Sequence, residues 1–396
     1  MRIAYLCGDL GIPVFGTKGA AVHVRELCRA LDRLGHELLI LTPRRGGEAP
    51  PGFDVRVHEI AAEENGASAG QDARALAYAN VLRRQALPLL DEFRPDVLYE
   101  RYSLCGTAGT GLAAELRVPL VLEVNAPLSD EHAAHRGLAL AETARRLERA
   151  VLRAADRVVA VSPWLARWLV DLGVPSDRIA VLPNGVDPAR FAAPTGAAEA
   201  VRVELGLLGR PVVGFVGTLK PWHDVATLVR ALARLGRNGV APALLVVGDG
   251  PERARLEELA RAESVDARFA GPVLHEEVPA YLAAADVAVA PYARADGFYF
   301  SPLKLVEYLA SGRPVVAADV GELRHCVRPG ETGLLYPPGD ADALAGAIRE
   351  LLADPVRAER LGRAGREHVR EEHTWERNAR AVAALARAEV DAGQPA

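Results

Sequence analysis

The sequence contains a lysine and a glutamate three residues apart, Lys304 and Glu307, on the polar face of a predicted helix, and the lysine could hold an anion. In SPLKLVEYLASG, Ser301 and Pro302 predict the N-cap and first residue of a helix, and Gly312 predicts its end. A lysine in the first helical turn opposes the positive end of the helix dipole. A bound phosphate would reverse this effect, because the N–H groups, the dipole and the ammonium would face one anion. The alternative is a solvated Lys304 paired with Glu307.

A glycine-rich loop at residues 8–19 is a second candidate anion site. It follows an apolar strand and precedes a segment with helical periodicity at residues 20–34. Glycines that lead into a helix N-terminus can present backbone N–H groups to a phosphate. The dinucleotide fingerprint GxGxxG is absent, and a flexible surface loop is the alternative. The sequence therefore predicts a backbone contact from Gly19 to an anion of unspecified kind.

Strands and helices alternate along the chain, which predicts the α/β class. Apolar runs typical of buried parallel strands recur in both halves, at residues 2–6, 36–41, 97–102, 120–124, 158–161, 212–216, 244–247, 287–290 and 315–318. We predict two Rossmann-like, doubly wound parallel-sheet domains that face each other across a cleft. The predicted bounds are 1–195 for the N-terminal domain, 196–375 for the C-terminal domain and 376–396 for a helix that packs back on the first domain.

The loops that follow these strands carry the unusual residues of the chain. Ligands of such sheets bind beyond the carboxyl ends of the strands. The three lysines of the sequence, Lys18, Lys220 and Lys304, all lie in or beside such loops, whereas arginine is abundant elsewhere. This coincidence favours an anion-binding role for Lys304 over a solvated one.

Composition excludes several function classes. The chain has 396 residues and a net charge of −5, so nothing suggests a nucleic-acid partner. Four widely spaced cysteines without metal-ligand spacing indicate buried thiols in a reducing compartment. No run of about 18 apolar residues is present, so no membrane-spanning segment is expected. The expected location is the cytoplasm, and contact with the inner membrane face stays open.

Several segments together resemble glycosyltransferase family 4, whose members have the two-Rossmann-domain fold called GT-B. The segments are KGAAVHVRELCRAL, PNGVDPARF, GFVGTLKPWHDVATLVRAL, VVGDGPER, FAGPVLHEEVPAYLAAADVAVAPY and the SPLK stretch, and they occur in the family's order. The resemblance implies a retaining transfer of a sugar from a nucleotide diphosphate sugar to an acceptor hydroxyl. It also implies that the donor binds the C-terminal domain, that the acceptor binds the N-terminal domain, and that no metal or other cofactor is essential.

The resemblance assigns donor-binding roles residue by residue. Glu307 matches the second glutamate of the family's paired-glutamate motif, which binds the donor ribose. Leu303 and Lys304 match positions that face the diphosphate and sugar, and Gly19 matches a glycine that approaches the diphosphate. Backbone groups that read the base correspond to Val273 and Leu274. Gly217 and Ser301 complete the expected donor-binding set.

Three departures distinguish this chain from the common family pattern. Tyr299 stands where the first motif glutamate usually contacts sugar hydroxyls, and Asp296 is a possible substitute. Thr218 and His223 replace an arginine and a lysine that bind the diphosphate, and Asn125 replaces a histidine near the donor sugar.

The cations Lys220 and Lys304 could compensate for this loss, and His223 could donate a hydrogen bond. The expected catalytic residues are therefore Lys304, His223, Lys220 and Asn125. The pair Asp340 and Asp342 resembles an Asp-x-Asp metal motif, but its position at a predicted helix start indicates helix capping.

Two alternatives to a transferase stay open at this stage. The departures at Tyr299, Thr218 and Asn125 fit a sugar-nucleotide-binding subunit without catalysis, and the fold also fits a sugar-nucleotide epimerase. The expected partners are a nucleotide sugar and an acceptor of unknown kind, which could be a glycan, a lipid-linked precursor or a small natural product.

Overall fold

The structure is a computed structural model that describes residues 1–62, 70–135, 137–294 and 299–393. Contacts divide the chain into two compact units. The first comprises Met1–Pro183, Tyr299–Ser301 and Trp375–Ala396, and the second comprises Asn184–Phe298 and Pro302–Thr374. The described part of the chain contains no helix with both the length and the apolar character needed to cross a membrane.

The first unit contains a seven-stranded parallel sheet within the described residues, in the order β3-β2-β1-β4-β5-β6-β7. Its strands are β1 (Arg2–Cys7), β2 (Glu37–Thr42), β3 (Arg56–Glu59), β4 (Val97–Arg101), β5 (Leu120–Val124), β6 (Arg157–Ala160) and β7 (Ile179–Val181). Its helices are α1 (Gly19–Arg33), α2 (Gln71–Phe93), α3 (Ala108–Leu116), α4 (Leu128–His135), α5 (Ala141–Ala154) and α6 (Pro163–Asp171).

The second unit contains a six-stranded parallel sheet within the described residues, in the order β10-β9-β8-β11-β12-β13. Its strands are β8 (Val212–Val216), β9 (Ala243–Val247), β10 (Ala267–Gly271), β11 (Val287–Ala290), β12 (Val315–Ala318) and β13 (Leu334–Tyr336). Its helices are α7 (Ala197–Glu204), α8 (Val225–Arg237), α9 (Arg253–Ala262), α10 (Val278–Ala284), α11 (Leu303–Ala310), α12 (Leu323–Cys326), α13 (Ala341–Ala353) and α14 (Pro355–Glu372).

The strands form where the sequence is continuously apolar. Five of the six residues of β1 are buried, as are all residues of β5, β9, β11 and β12, because helices cover both faces of each sheet. The predicted fold class of two Rossmann-like parallel-sheet units is confirmed. In each sheet the strand order reverses at one point, between β1 and β4 and between β8 and β11, and such points are where ligands bind.

The last helix, α15 (Trp375–Gly393), belongs to the first unit and packs against α1. The indole of Trp375 meets the His23 ring edge-on, with centroids 4.9 Å apart. Near the other end of the helix, Arg157 Nε donates to Glu389 Oε1 at 2.6 Å. Asn378 Nδ2 donates to the Pro183 carbonyl at 2.7 Å, so the C-terminal helix is tied to the end of the first unit.

The start of α11 differs from the sequence expectation. The helix begins at Leu303, and Pro302 occupies the N-cap position with an extended backbone (φ −77°, ψ 103°) and no side-chain cap. Ser301 is then one residue too far from the helix to cap its first N–H groups. The predicted end is confirmed, because Gly312 has a φ of +73° immediately after the C-cap Ser311.

Two smaller expectations are also settled by the fold. Asp340 Oδ1 accepts hydrogen bonds from the N–H groups of Asp342 and Ala343, so the first residue of the Asp-x-Asp pair caps helix α13. All four cysteines are buried and free.

Candidate functional site

A tyrosine attaches helix α11 to the end of strand β8. The Tyr308 hydroxyl donates to the Val216 carbonyl at 2.7 Å and accepts from the Val216 N–H at 2.6 Å. Tyr308 is completely buried, and Lys304 lies one turn earlier on the same helix. This anchor places Lys304 beside the loop that follows β8, at the reversal point of the second sheet.

The Lys304 ammonium is buried and held only by aromatic rings. Nζ lies 4.7 Å from the ring centroid of Phe215 and 5.2 Å from that of Tyr292. It has no hydrogen-bond partner among the described residues. Burial lowers the pKa of Lys304 to about 7, although the charge of Glu307 opposes the shift. The alternative of a solvated lysine paired with Glu307 is therefore wrong.

Two glycines make room for this lysine. Gly217 has a φ of +150°, and a Cβ at this position would lie 2.8 Å from Lys304 Nζ. Gly248, at the end of β9, has a φ of +122°, and its Cβ would lie 2.1 Å from the Gly217 carbonyl oxygen. The backbone can approach this closely only because neither residue has a side chain.

His223 lies in the same cluster but cannot act as a spare donor. A carbonyl oxygen only accepts, so the ring must donate its Nδ1–H to the Thr218 carbonyl. Burial, and then the charges of Lys304 and Lys220, lower the pKa of His223 to about 2. The ring is neutral with Nε2 as an acceptor, so the expectation that His223 gives a ligand its N–H does not hold in this arrangement.

Lys220 presents its charge beside an exposed indole. A short 3₁₀ turn, Pro221–His223, follows it, and Nζ lies 5.7 Å from the centroid of the Trp222 ring. Trp222 is 37% exposed, which is unusual for a residue of its size. The loop after β8 therefore contributes a partly exposed cation, while the buried cation Lys304 comes from helix α11.

Glu307 is buried and has a partner that is distant in sequence. Its Oε1 accepts a hydrogen bond from His275 Nε2 at 2.7 Å, and both side chains are about nine-tenths buried. The His275 ring packs edge-on against Phe191, with centroids 5.9 Å apart. One carboxylate oxygen of Glu307 is therefore fixed in direction by a histidine.

The expected base-reading backbone follows β10. Leu274 is 60% exposed, its N–H donates to Glu277 Oε2 at 2.8 Å, and its carbonyl accepts from the Glu277 N–H. Val273 packs against the apolar cluster of β8 and β9. The Leu274 backbone is therefore already engaged with Glu277.

In the first unit, Gly19 begins helix α1. Apart from its own neighbours in the chain and helix, no atom of the described residues lies within 4 Å of the place where its Cβ would be, so the helix N-terminus is open to them on that side. Arg25 holds the preceding loop by donating from Nη1 to the carbonyls of Val14 and Gly16, at 2.6 and 2.7 Å. The loop is therefore fixed by a buried side chain at two of its carbonyls.

Asn125 belongs to a buried network around Glu123 that sequence reasoning missed. Asn125 Nδ2 donates to Glu123 Oε1 at 2.6 Å, and Arg101 Nη1 donates to the same oxygen at 3.1 Å. Tyr99 and His23 contact Glu123 Oε2, the hydroxyl at 2.5 Å and Nε2 at 2.9 Å. The amide nitrogen of Asn125 carries two N–H groups, so a second N–H and the carbonyl oxygen remain for other partners.

The charge of Glu123 is stabilised by these neighbours. Burial by itself would raise the pKa of this carboxyl, but His23, Arg101 and the Tyr99 hydroxyl outweigh it and lower the pKa to about 2. Glu123 is only 2% exposed. One sequence signal could have identified Glu123: it is a glutamate inside the apolar strand β5 (LVLEV). The neighbouring strand β4 (VLYER) also ends in polar residues.

Tyr299 and Ser301 belong to the first unit. The Tyr299 hydroxyl donates to Glu131 Oε2 at 2.8 Å, and its ring lies 5.9 Å from that of Trp164. The proposed substitute Asp296 lies outside the described residues.

The predicted residues thus form two groups. Contacts bring Gly217, Thr218, His223 and Lys304 together in the second unit, where Lys220, Val273, Leu274, Leu303 and Glu307 also lie. Gly19, Asn125, Tyr299 and Ser301 lie in the first unit. Sequence reasoning missed His275, Tyr308 and the aromatic surroundings of Lys304, because each depends on a contact between distant segments.

Both units match models of glycosyltransferase families. A model described as Glycosyltransferase Family 4 matches residues 17–190, and one described as Glycosyl transferases group 1 matches residues 210–354. Glycogen synthase from Mycobacterium tuberculosis is 30% identical over 97% of this chain and 94% of its own length. D-inositol 3-phosphate glycosyltransferase from Nocardia farcinica is 36% identical over 87% of this chain and 79% of its own.

Solved structures show the same fold. Sucrose-phosphate synthase from Thermosynechococcus elongatus superposes with a TM-score of 0.78 and 27% identity, over 99% of this chain and 100% of its own. The Anabaena protein HepE, in complex with UDP and glucose, gives a TM-score of 0.75 at 21% identity, over 97% of this chain and 98% of its own. The two parallel-sheet units therefore have the GT-B fold that the sequence resemblance implied.

Proposed function

The chain belongs to glycosyltransferase family 4, and from this membership we propose that it moves a hexosyl group, with retention, from a nucleotide diphosphate sugar to an acceptor hydroxyl. In this reaction the bond between the anomeric carbon and the diphosphate oxygen breaks, and a bond to the acceptor oxygen forms. The acceptor loses its proton, and the diphosphate leaves with the bonding electrons. We further propose that the first unit binds the acceptor and the second binds the donor.

The observation that carries the proposal is the buried ammonium of Lys304. A cation without a carboxylate partner among the described residues is costly in a protein interior. A diphosphate bound beside it would supply the missing negative charge. Negative charge increases on the diphosphate as the glycosidic bond breaks, so a fixed cation stabilises the transition state more than the ground state. Lys304 and Lys220 would thus supply the stabilisation that other glycosyl transfer sites obtain from a metal ion.

The pair of Glu307 and His275 supports the same assignment. A carboxylate fixed at one oxygen by an imidazole presents the other oxygen in a defined direction, which suits a ribose hydroxyl. The neutral His223 adds an acceptor nitrogen beside Lys304. In the first unit, Asn125 would offer its amide oxygen to a hydroxyl of the transferred sugar.

The relatives indicate which donors and acceptors to test. One structural neighbour, HepE, is bound to UDP and glucose. A second relative is the GDP-mannose-dependent alpha-(1-6)-phosphatidylinositol monomannoside mannosyltransferase from Mycolicibacterium smegmatis. It is 34% identical over 84% of this chain and 92% of its own length. UDP-glucose and GDP-mannose are therefore the first donors to try. Acceptors should include inositol-containing lipids as well as soluble glycans, with the cytoplasm as the proposed location.

A thermal-shift screen against UDP, GDP, ADP, dTDP and their common sugars, with and without EDTA, tests the proposal. We expect one nucleotide to raise the melting temperature, and donor hydrolysis or transfer to persist in EDTA. Lys304→Ala should lower the rate more than the affinity for the donor. Arg349→Ala, which removes an exposed cation from helix α13 of the same unit, is the matched control. Nucleotide binding without any turnover would instead support a subunit that only binds sugar nucleotides.

A further inference from the structure

Three side chains with metal-ligating atoms meet at the end of helix α14, away from the residues discussed so far. His368 and Glu372 are four residues apart and share one face of the helix, and His373 follows directly as the C-cap. Their ligand atoms all lie within 4.8 Å of one another. The rings of His368 and His373 are nearly perpendicular, with centroids 5.3 Å apart.

His368 is the observation that points to a ligand. Its side chain is 97% buried, since only 3% of it is exposed. Among the described residues, neither of its ring nitrogens has a hydrogen-bond partner of normal geometry. A buried polar group without a partner costs about 1–3 kcal/mol, so such groups usually bind an ordered water molecule, an ion or a ligand.

The carboxylate of this cluster is held by a neighbouring arginine. Arg328 Nη2 donates to Glu372 Oε1 at 2.8 Å, which orients the carboxylate and leaves Oε2 available.

We propose that His368, Glu372 and His373 bind one late first-row divalent cation of the zinc class, with water completing the coordination. Two imidazoles and one carboxylate form a donor set that suits Zn²⁺ and excludes Mg²⁺ and Ca²⁺, which prefer all-oxygen sites. His368 Nδ1 and Glu372 Oε1 are 3.8 Å apart, slightly wider than two ligands of one tetrahedral ion, and the half-exposed Glu372 can close that distance.

The ion would be structural. The His373 carbonyl accepts a hydrogen bond from the Val186 N–H at 2.9 Å, so the end of α14 is also tied to the start of the second unit's chain. Metal binding there would stabilise this junction of two chain segments. Removal of the ion should therefore lower thermal stability without stopping glycosyl transfer, which separates this proposal from the proposed metal-independent chemistry.

Zn²⁺ titration of the full, metal-stripped and tag-free chain against a chromophoric chelator tests the site. We expect one Zn²⁺ per chain, a rise in melting temperature, and visible Co²⁺ absorption typical of a tetrahedral site. His368→Ala should abolish this binding, and Glu372→Gln should weaken it by tenfold or more. Glu372 is half-exposed, so Glu372→Gln should fold normally. If His368→Ala does not fold, Zn²⁺ binding by Glu372→Gln therefore tests the site.

Two control variants separate ligation from other effects. Arg328→Gln removes the residue that orients Glu372 but no ligand, so Zn²⁺ should still bind, more weakly than to the wild type but more tightly than to His368→Ala. His58→Ala removes an exposed histidine of strand β3 in the first unit and should change nothing. Zn²⁺ binding that is absent from the wild type, or equally tight in Glu372→Gln and His58→Ala, would overturn the proposal.

Discussion

Replacing Lys304 by methionine should make the unliganded protein more stable while weakening its affinity for a nucleoside diphosphate. Burial lowers the pKa of Lys304 from 10.5 to about 7, which corresponds to about 5 kcal/mol of destabilisation of the charged form. The contacts of the ammonium with Phe215 and Tyr292 offset about 1–2 kcal/mol of this. Methionine fills a similar volume without charge, so we expect a gain of about 3 kcal/mol in the free energy of unfolding at pH 6.

The gain should depend on pH with a definite sign. Between pH 7 and 10.5 the unfolded state binds more protons than the folded state, because the pKa of Lys304 is lower in the folded protein. The free energy of unfolding of the wild type therefore rises with pH across this window. Below pH 7 the ammonium is charged in both states and the full penalty is present. The advantage of the variant should thus be largest at pH 6 and decrease toward pH 10.

Urea unfolding of both proteins at pH 6 and pH 9 measures this effect. The difference between the two proteins should decrease by about 2–3 kcal/mol from the lower to the higher pH. A bound diphosphate should raise the pKa of Lys304 again, so calorimetric titrations at pH 8 in two buffers of different ionisation enthalpy should show proton uptake in the wild type only. A stability difference that is independent of pH, together with no proton uptake, would refute the assignment of Lys304 as a buried cation that meets the diphosphate.

The other predictions concern the partners of the two groups of site residues. Glu307→Gln should weaken nucleotide binding by about 1–3 kcal/mol, and His275→Gln should weaken it less, as measured by calorimetry. If both variants lose the same amount of protein stability and neither changes the affinity for the nucleotide, this assignment is contradicted. Glu123→Gln leaves the largely buried Arg101 guanidinium without its carboxylate and should cost about 3–5 kcal/mol in urea unfolding at pH 7. Because the pKa of Glu123 is lowered to about 2, its contribution is present above pH 4.5 and is lost as the pH falls toward 2, so acid titration should show a smaller change in the variant. Gly217→Ala places a Cβ against Lys304 and should weaken nucleotide binding at least severalfold, whereas Gly236→Ala in helix α8, which meets nothing, should not.

Local sequence information was sufficient for the elements and the family. Runs such as VVAA at residues 315–318 are continuously apolar, and a strand buried on both faces needs no other signal. Gly312 predicts the end of α11, because a left-handed residue is needed there. Six motifs in the family's order gave the GT-B fold, since motif order along a chain is itself a sequence property.

The environment of each site residue was decided by the tertiary structure. The spacing of Lys304 and Glu307 indicates only that they share a helix, and it suggested that they pair. In the fold, Glu307 meets His275 from 32 residues earlier, and Lys304 meets rings contributed by strand β8 and by the loop after β11. The free energy of a buried charge depends on which groups replace its water, and those groups come from distant segments.

The same reason explains why the partners of two further residues could not be predicted from the sequence. Glu123 looked like one residue of an apolar strand, yet four side chains from α1, β4 and the end of β5 converge on it. Tyr299 was expected at the donor sugar, but its hydroxyl binds Glu131 in the first unit. Short-range pattern determined where strands and helices form in this protein, whereas the ionisation and direction of its functional side chains were determined by contacts that only the folded chain makes.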